Sequence, residues 1–235
     1  MMEMVLKMKG KEQLTVVMML WLWWGERNKW REEGRRRTVA EMAYITAFHT
    51  NLVLKTDSWL LSENRQKRRW QKPRTGELKL NIDGAFNCDK HDGGWGFILH
   101  DDQGRVVSSG AGREDFLLDA FQAKLLSCLE GLQEVARMGI SRINLEVDVA
   151  LVKEAILTDD YRLASSGGVT TEIKLLIGAD FMSCTVSVCK RDCNTAAHAL
   201  AAYGCNLPSG SYNTWEGVPR VVEELGTSDL AWSVK

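Results

Sequence analysis

The chain has 235 residues, 45% of them apolar and 26% charged, which is enough for one good core with extensions and too little for a second full domain beside it. The net charge of −1 conceals a split, since residues 1–75 carry 16 Lys and Arg against 8 Asp and Glu, whereas residues 76–235 carry 14 against 23. A basic lead and an acidic folded part are expected, which excludes a uniformly basic nucleic-acid binder.

The six cysteines, Cys88, Cys128, Cys184, Cys189, Cys193 and Cys205, include no Cys-x-x-Cys pair, and Cys189 and Cys193 lack a second His or Cys pair at zinc spacing. Reduced thiols in an intracellular protein are the expectation. The apolar run Leu14–Trp24 falls short of the roughly 20 residues that a bilayer span needs, and it lacks a small-residue cleavage site. No membrane partner is expected; Arg27, Lys29 and Arg31 after the run leave a surface-lying helix as the alternative.

In chain order, residues 1–40 read as one Met- and Trp-rich helix ending near Gly34 in the run Arg35-Arg36-Arg37. Ala40–Lys55, without glycine or proline, reads as a second helix, and Lys67-Arg68-Arg69-Trp70 with Pro73 marks a linker. Residues 1–76 are thus a basic helical extension and linker. Its basic runs suit a solvated connection, with phosphate or a nuclear import receptor as the functional alternative.

From Glu77 the pattern tightens. In Leu78–Phe86, LKLNIDGAF, the side chains of Leu78, Leu80 and Ile82 fall on one strand face and those of Lys79, Asn81 and Asp83 on the other. The alternation predicts a first strand over Leu78–Asp83, a second over Gly94–His100 and a third over Val106–Gly112. Asp119–Met138 reads as an amphipathic helix, with Phe121, Leu125, Cys128, Leu132 and Val135 three or four apart and Gly139 as its cap. Ile143–Asp148 is a strand returning parallel to the first. Short helices over Ala150–Leu157 and Thr170–Ala179, a strand over Cys184–Cys189 and a helix over Asn194–Tyr203, capped by Asp192 or Asn194, complete an α/β fold. The expected sheet is mixed and five-stranded, flanked by helices. Past Asn206 only Pro219–Leu225 reads as ordered, so residues 206–235 are expected to be a tail.

Asp83 and Asp148 end neighbouring parallel strands and should therefore lie side by side. Gly84, with no Cβ, lets the backbone approach whatever Asp83 binds. Beyond these geometric readings, a resemblance carries the chemistry. NIDGAF, GGWGFILHDDQGRVVSSG, the helix from Asp119, LEVDVAL and TVSVCKRDCNTAAHALAAYG occur in an order that resembles the ribonuclease H type 1 domain in its plant, retroelement-derived form, over about Glu77–Cys205. Trp24-Gly25-Glu26-Arg27-Asn28 resembles the segment that joins an upstream polymerase region to such a domain.

The resemblance implies a ribonuclease H-like fold and a metal-dependent endonuclease that cuts RNA in RNA–DNA hybrids, with two Mg²⁺ (or Mn²⁺) ions about 4 Å apart held by four acids. Asp83 matches the first acid and Asp148 the third, and both are the implied metal ligands. The second acid falls in Ala123-Lys124-Leu125, where Lys124 replaces the family Glu, and the fourth in Ala197-His198-Ala199, where His198 replaces the family Asp. An ammonium for a carboxylate changes the local charge by two units, and one charge about 4 Å from another is worth about 4 kcal/mol at an effective dielectric of about 20. Lys124 should pair with Asp83 and Asp148 and take a cation's place. Asp119 and Asp192 are the nearest acids that could substitute.

The implied nucleic-acid contacts are Gly84, Asn87 and Arg191, with Lys90, Arg113 and Lys190 as further cations. The expectation is a ribonuclease H-like nucleic-acid-binding domain, for RNA–DNA hybrid or a related nucleic acid, with catalysis absent or strongly impaired. The alternatives are an active endonuclease, a non-catalytic duplex binder and a protein-interaction relic.

Overall fold

The alternation that begins at Leu78 forms β1 (Leu78–Asn87), the strand from which the rest of the sheet is laid out. The computed structural model describes residues 10–33, 39, 42–43, 46, 50, 70–162 and 164–223. The chain divides into two units, Met1–Gln66 and Lys67–Lys235.

In the second unit, β2 (Asp92–His100) and β3 (Val106–Glu114) continue β1 as an antiparallel meander, and β4 (Arg142–Val147) and β5 (Ser183–Val188) extend its other side in parallel. β6 (Tyr212–Glu216) pairs antiparallel with β3, giving the order β5-β4-β1-β2-β3-β6. The mixed sheet therefore has six strands, one more than expected. The extra strand lies in the segment expected to be a tail. Its side chains are mostly exposed, and its place is set by backbone pairing to β3.

The helices are α2 (Ala120–Arg137), α3 (Ala150–Leu157), α4 (Gly167–Asp180), α5 (Thr195–Gly204) and the short α6 (Arg220–Glu223). Asp119 caps α2 by accepting from the Gln122 backbone N–H at 2.8 Å, and the left-handed Gly139 (φ +72°) follows its C-terminus. In the apolar stripe of α2, Leu125, Cys128, Leu132 and Val135 are fully buried, whereas Phe121 at its start is partly exposed. α2 covers the sheet face of Leu80 and Phe97, while α5 covers the opposite face, that of Asn81 and Asp83. The contact with α5 is close because Gly96 has no side chain: a Cβ there would sit 2.4 Å from the Ala201 nitrogen.

The first unit contains α1 (Lys11–Glu33), with Leu22 buried and Trp21, Trp23 and Trp24 exposed. The helix expected over residues 1–40 is thus described over its middle; most of the helix expected over Ala40–Lys55, and the runs Arg35–Arg37 and Lys67–Arg69, lie outside the described residues. No helix among the described residues is long and apolar enough to cross a membrane.

Candidate functional site

Pairing of β1 with β4 runs from Leu78 opposite Ile143 to Asn81 opposite Glu146 and stops there. β4 ends at Val147, whereas β1 continues to Asn87 with β2 as its partner. β1 therefore runs past Asp83, contrary to the expected end at that residue, because the hairpin with β2 holds it extended. Asp83 and Asp148 come together at the carboxyl end of the parallel pair, the usual position of a site in such sheets.

Lys124, in the second turn of α2, donates from Nζ to Oδ1 of Asp83 and, at 2.7 Å, to Oδ1 of Asp148. The three side chains are 12%, 2% and 6% exposed, so water screens the trio little. Burial opposes the charge on Lys124, but the carboxylates of Asp83 and Asp148 outweigh it and hold the ammonium above the ordinary lysine value.

His198, on the first turn of α5, approaches the same acid from the opposite face, with Nδ1 2.7 Å from Asp83 Oδ2. An ionised carboxylate only accepts, so the proton between them belongs to Nδ1. The Gly84 N–H adds a third bond, donating to Asp83 Oδ1 at 2.9 Å. Both Asp83 oxygens are thereby occupied.

Gly84 makes room for a helix. A Cβ on it would lie 2.3 Å from the Ala123 carbonyl carbon and 2.5 Å from the Lys124 nitrogen. The missing side chain admits helix α2, and that close approach delivers Lys124 to Asp83. Asn87 lies at the exposed end of β1, and its Oδ1 accepts from the Asp89 N–H at 3.0 Å, a turn contact. Arg191 is exposed in the 3-10 turn Arg191–Cys193. Arg113 is tied down: it pairs with Asp92, with Asp115 at 3.2 Å and with the Cys205 carbonyl at 2.9 Å. Asp119 is spent on the α2 cap, and Asp192 is exposed on the 3-10 turn.

A buried polar layer behind Asp83 escaped sequence reasoning. Asn81 and Asn194 are fully buried and bonded to each other at 3.1 Å. Glu146 accepts from Asn81 at 3.1 Å and pairs with Lys79 at 2.7 Å. Trp70 closes the layer from the linker side, its indole N–H 3.2 Å from Asn81 Oδ1 and its ring 4.5 Å from that of His100. Burial, then the charge of Lys79, drives the His100 pKa down to about 3, and neither ring nitrogen has a hydrogen-bond partner among the described residues. The signal available was a run of polar residues on a strand face that a following helix has to cover.

The residues present do not fit a pair of Mg²⁺ ions. Hard cations take several oxygen ligands and keep open positions for water and phosphate. Here two carboxylates already share an ammonium, and an imidazole holds one of their remaining oxygens. Among the described residues, no group of three or more His, Cys, Asp and Glu is arranged to hold a metal ion. An ammonium supplies charge and hydrogen bonds and has no coordination position to offer.

A family model described as reverse transcriptase-like matches residues 81–204, more than half of the chain. Among solved structures, RNase H1 of the halophilic archaeon Halobacterium salinarum is similar at 21% identity over 55% of this chain and 97% of its own, with a TM-score of 0.48. The N-terminal RNase H domain of a Mycobacterium tuberculosis protein, solved as a fusion with maltose-binding protein, is similar at 17% identity over 55% of this chain and 94% of its own, also with a TM-score of 0.48. No protein of curated function matches the chain. The matched span runs from Asn81 on β1 to the last residue of α5 and contains Asp83, Lys124, Asp148 and His198: the chain belongs to the reverse transcriptase-like family.

Proposed function

We propose that this is an intracellular ribonuclease H-like nucleic-acid-binding domain of plant retroelement origin, which engages RNA–DNA hybrid or a related A-form duplex without cutting it. The reading rests on Lys124 Nζ, seated between Asp83 and Asp148 at 2.7 Å from the latter. A two-metal phosphodiesterase needs carboxylates that hold cations with open positions. In this chain a covalently attached cation takes the charge and leaves no Lewis acid beside the scissile phosphate. Duplex recognition by shape, phosphate and 2′-hydroxyl needs no such acid. Because residues 76–235 are acidic, attraction to phosphate falls to the extension and linker, whose runs Arg35–Arg37 and Lys67–Arg69 also suit a nuclear address.

The test is a Mg²⁺ and Mn²⁺ titration with a labelled-hybrid cleavage assay on the wild type, Lys124→Glu and Lys124→Glu/Asp83→Asn. The wild type is expected to bind hybrid in a salt-sensitive way, with no cleavage and no Mn²⁺ uptake. Lys124→Glu is expected to gain Mn²⁺ binding, because ligand charge is what the change repairs, and the added Asp83→Asn to abolish it. Hybrid cleavage by the wild type at a rate unaltered in Lys124→Glu would overturn the proposal. Absence of hybrid binding at low salt would put a protein-interaction role in its place.

A further inference from the structure

We infer that Trp70 is a positioning residue for His198: its indole N–H sets the orientation of two buried amides, Asn81 and Asn194, and through them the first turn of α5, which holds the imidazole on Asp83. Trp70 lies outside the span matched by the family model, and the inference stands independently of whether the domain binds nucleic acid.

An indole N–H donates and cannot accept. With Trp70 Nε1 3.2 Å away, Asn81 must present its oxygen to the indole, which turns its amino group toward Glu146 and Asn194, both at 3.1 Å. The reversed amide would set donor against donor at Trp70 and acceptor against carboxylate at Glu146. Asn194 is constrained in turn. Its Oδ1 receives Asn81, so its Nδ2 donates to the Ile82 carbonyl, 2.8 Å away and one residue before Asp83. Both amides are fully buried, so bulk water cannot replace a lost partner.

Asn194 is also the residue that opens α5. Its side chain, expected to cap the helix, makes no cap bond and is spent on β1, while its backbone carbonyl accepts from the His198 N–H at 3.0 Å. The imidazole of His198 therefore rides on a turn whose start is bolted to β1 through the amide pair. The linker end is equally fixed, since Lys79 Nζ donates to the Gln71 carbonyl at 2.6 Å and lies 5.3 Å from the Trp70 ring centre. Docking of the linker and placement of His198 are thus parts of one hydrogen-bonded chain.

The test uses Trp70→Phe in the full chain, which keeps an aromatic ring against His100 and Lys79 and removes the donor. Amide hydrogen exchange in the first turn of α5 should become about tenfold faster while α2 amides such as Leu125 keep their wild-type rates, and the His198 imidazole ¹⁵N resonances should shift. Unchanged exchange and resonances would overturn the inference, as would equal acceleration in α2 and α5, which marks general loosening. Should Trp70→Phe fail to fold, the reverse measurement decides. Coupling is reciprocal, so in chain labelled with fluorotryptophan, His198→Ala should move the ¹⁹F resonance of Trp70. A Trp70 resonance that stays in place would overturn the inference.

Discussion

Lys124 is held by two carboxylates with little access to water, so its removal has a cost that a surface lysine would not show. In Lys124→Met, Asp83 and Asp148 remain as neighbouring buried charges, and loss of one partner from a buried pair costs about 3–5 kcal/mol. Urea unfolding at neutral pH should show that loss, and Mn²⁺ should recover part of it in the variant while leaving the wild type unmoved. The pH dependence has a definite sign. The folded-state pKa of Lys124 is raised, and an unfolded lysine titrates near about 10.4. Below that value both states carry the proton and the contribution of Lys124 is complete. Above it the unfolded chain has lost a proton that the folded chain keeps, so stability falls with rising pH through the folded value. The wild type should therefore lose stability more steeply on the alkaline side than Lys124→Met; parallel decline of the two would contradict this assignment of the ammonium's role.

Between elements, the same substitution should have opposite signs at two glycines. Gly84→Ala would press a Cβ to 2.3 Å from the Ala123 carbonyl carbon on α2, and relief by backbone movement costs about 1–3 kcal/mol. That movement also draws Lys124 away from Asp83. Gly178, exposed near the end of α4 with nothing within 4 Å of a new Cβ, should gain about 0.5–1 kcal/mol in Gly178→Ala from its helical preference. Matched urea curves check both, and a Gly84→Ala chain as stable as the wild type would mean that the α2–β1 approach is slack. The two sites show what the sequence carried. The period of β1 and the stripe of α2 were legible because burial on one side imposes spacing, and Lys124 was legible through the resemblance, which sets Ala123-Lys124-Leu125 against the family's second acid. Gly84 leaves open what approaches the strand beside Asp83, since a glycine beside an acid looks the same whether metal or helix fills the space. The burial of Asn81 was not legible, because alternation places it on the face opposite Leu80 and leaves open whether a later helix covers that face. β6 has no buried run to announce it, and only its pairing with β3 makes it a strand.

At the scale of the whole folded unit, β6 and α6 close the edge of the sheet on the α5 side. Val222 is fully buried with Ile98, Ala111, Ala196, Ala197 and Leu200, and Trp215 and Val218 pack around that cluster. Ser109 Oγ donates to the Gly217 carbonyl at 2.8 Å, and the Arg113 N–H donates to the Ser211 carbonyl at 3.0 Å, so the segment is fastened along its length. A chain stopped after Asn206 should therefore behave as a damaged core. Removing Val222 and its neighbours forfeits on the order of 3 kcal/mol of apolar burial, equivalent to a fall of about 6–12 °C in melting temperature for a chain of this size. The β3 edge would also be left unpaired, an invitation to edge-to-edge association that light scattering would detect. The consequence reaches the candidate site, because the residues exposed on α5 lie on the helix that carries His198 to Asp83. The truncated chain should thus lose the His198–Asp83 contact, read from the imidazole ¹⁵N resonances, before it loses the Lys124 pairs that depend on α2. A truncated chain that melts with the full one and keeps its His198 resonances would make residues 207–223 dispensable, and the six-stranded sheet would then be stable as five.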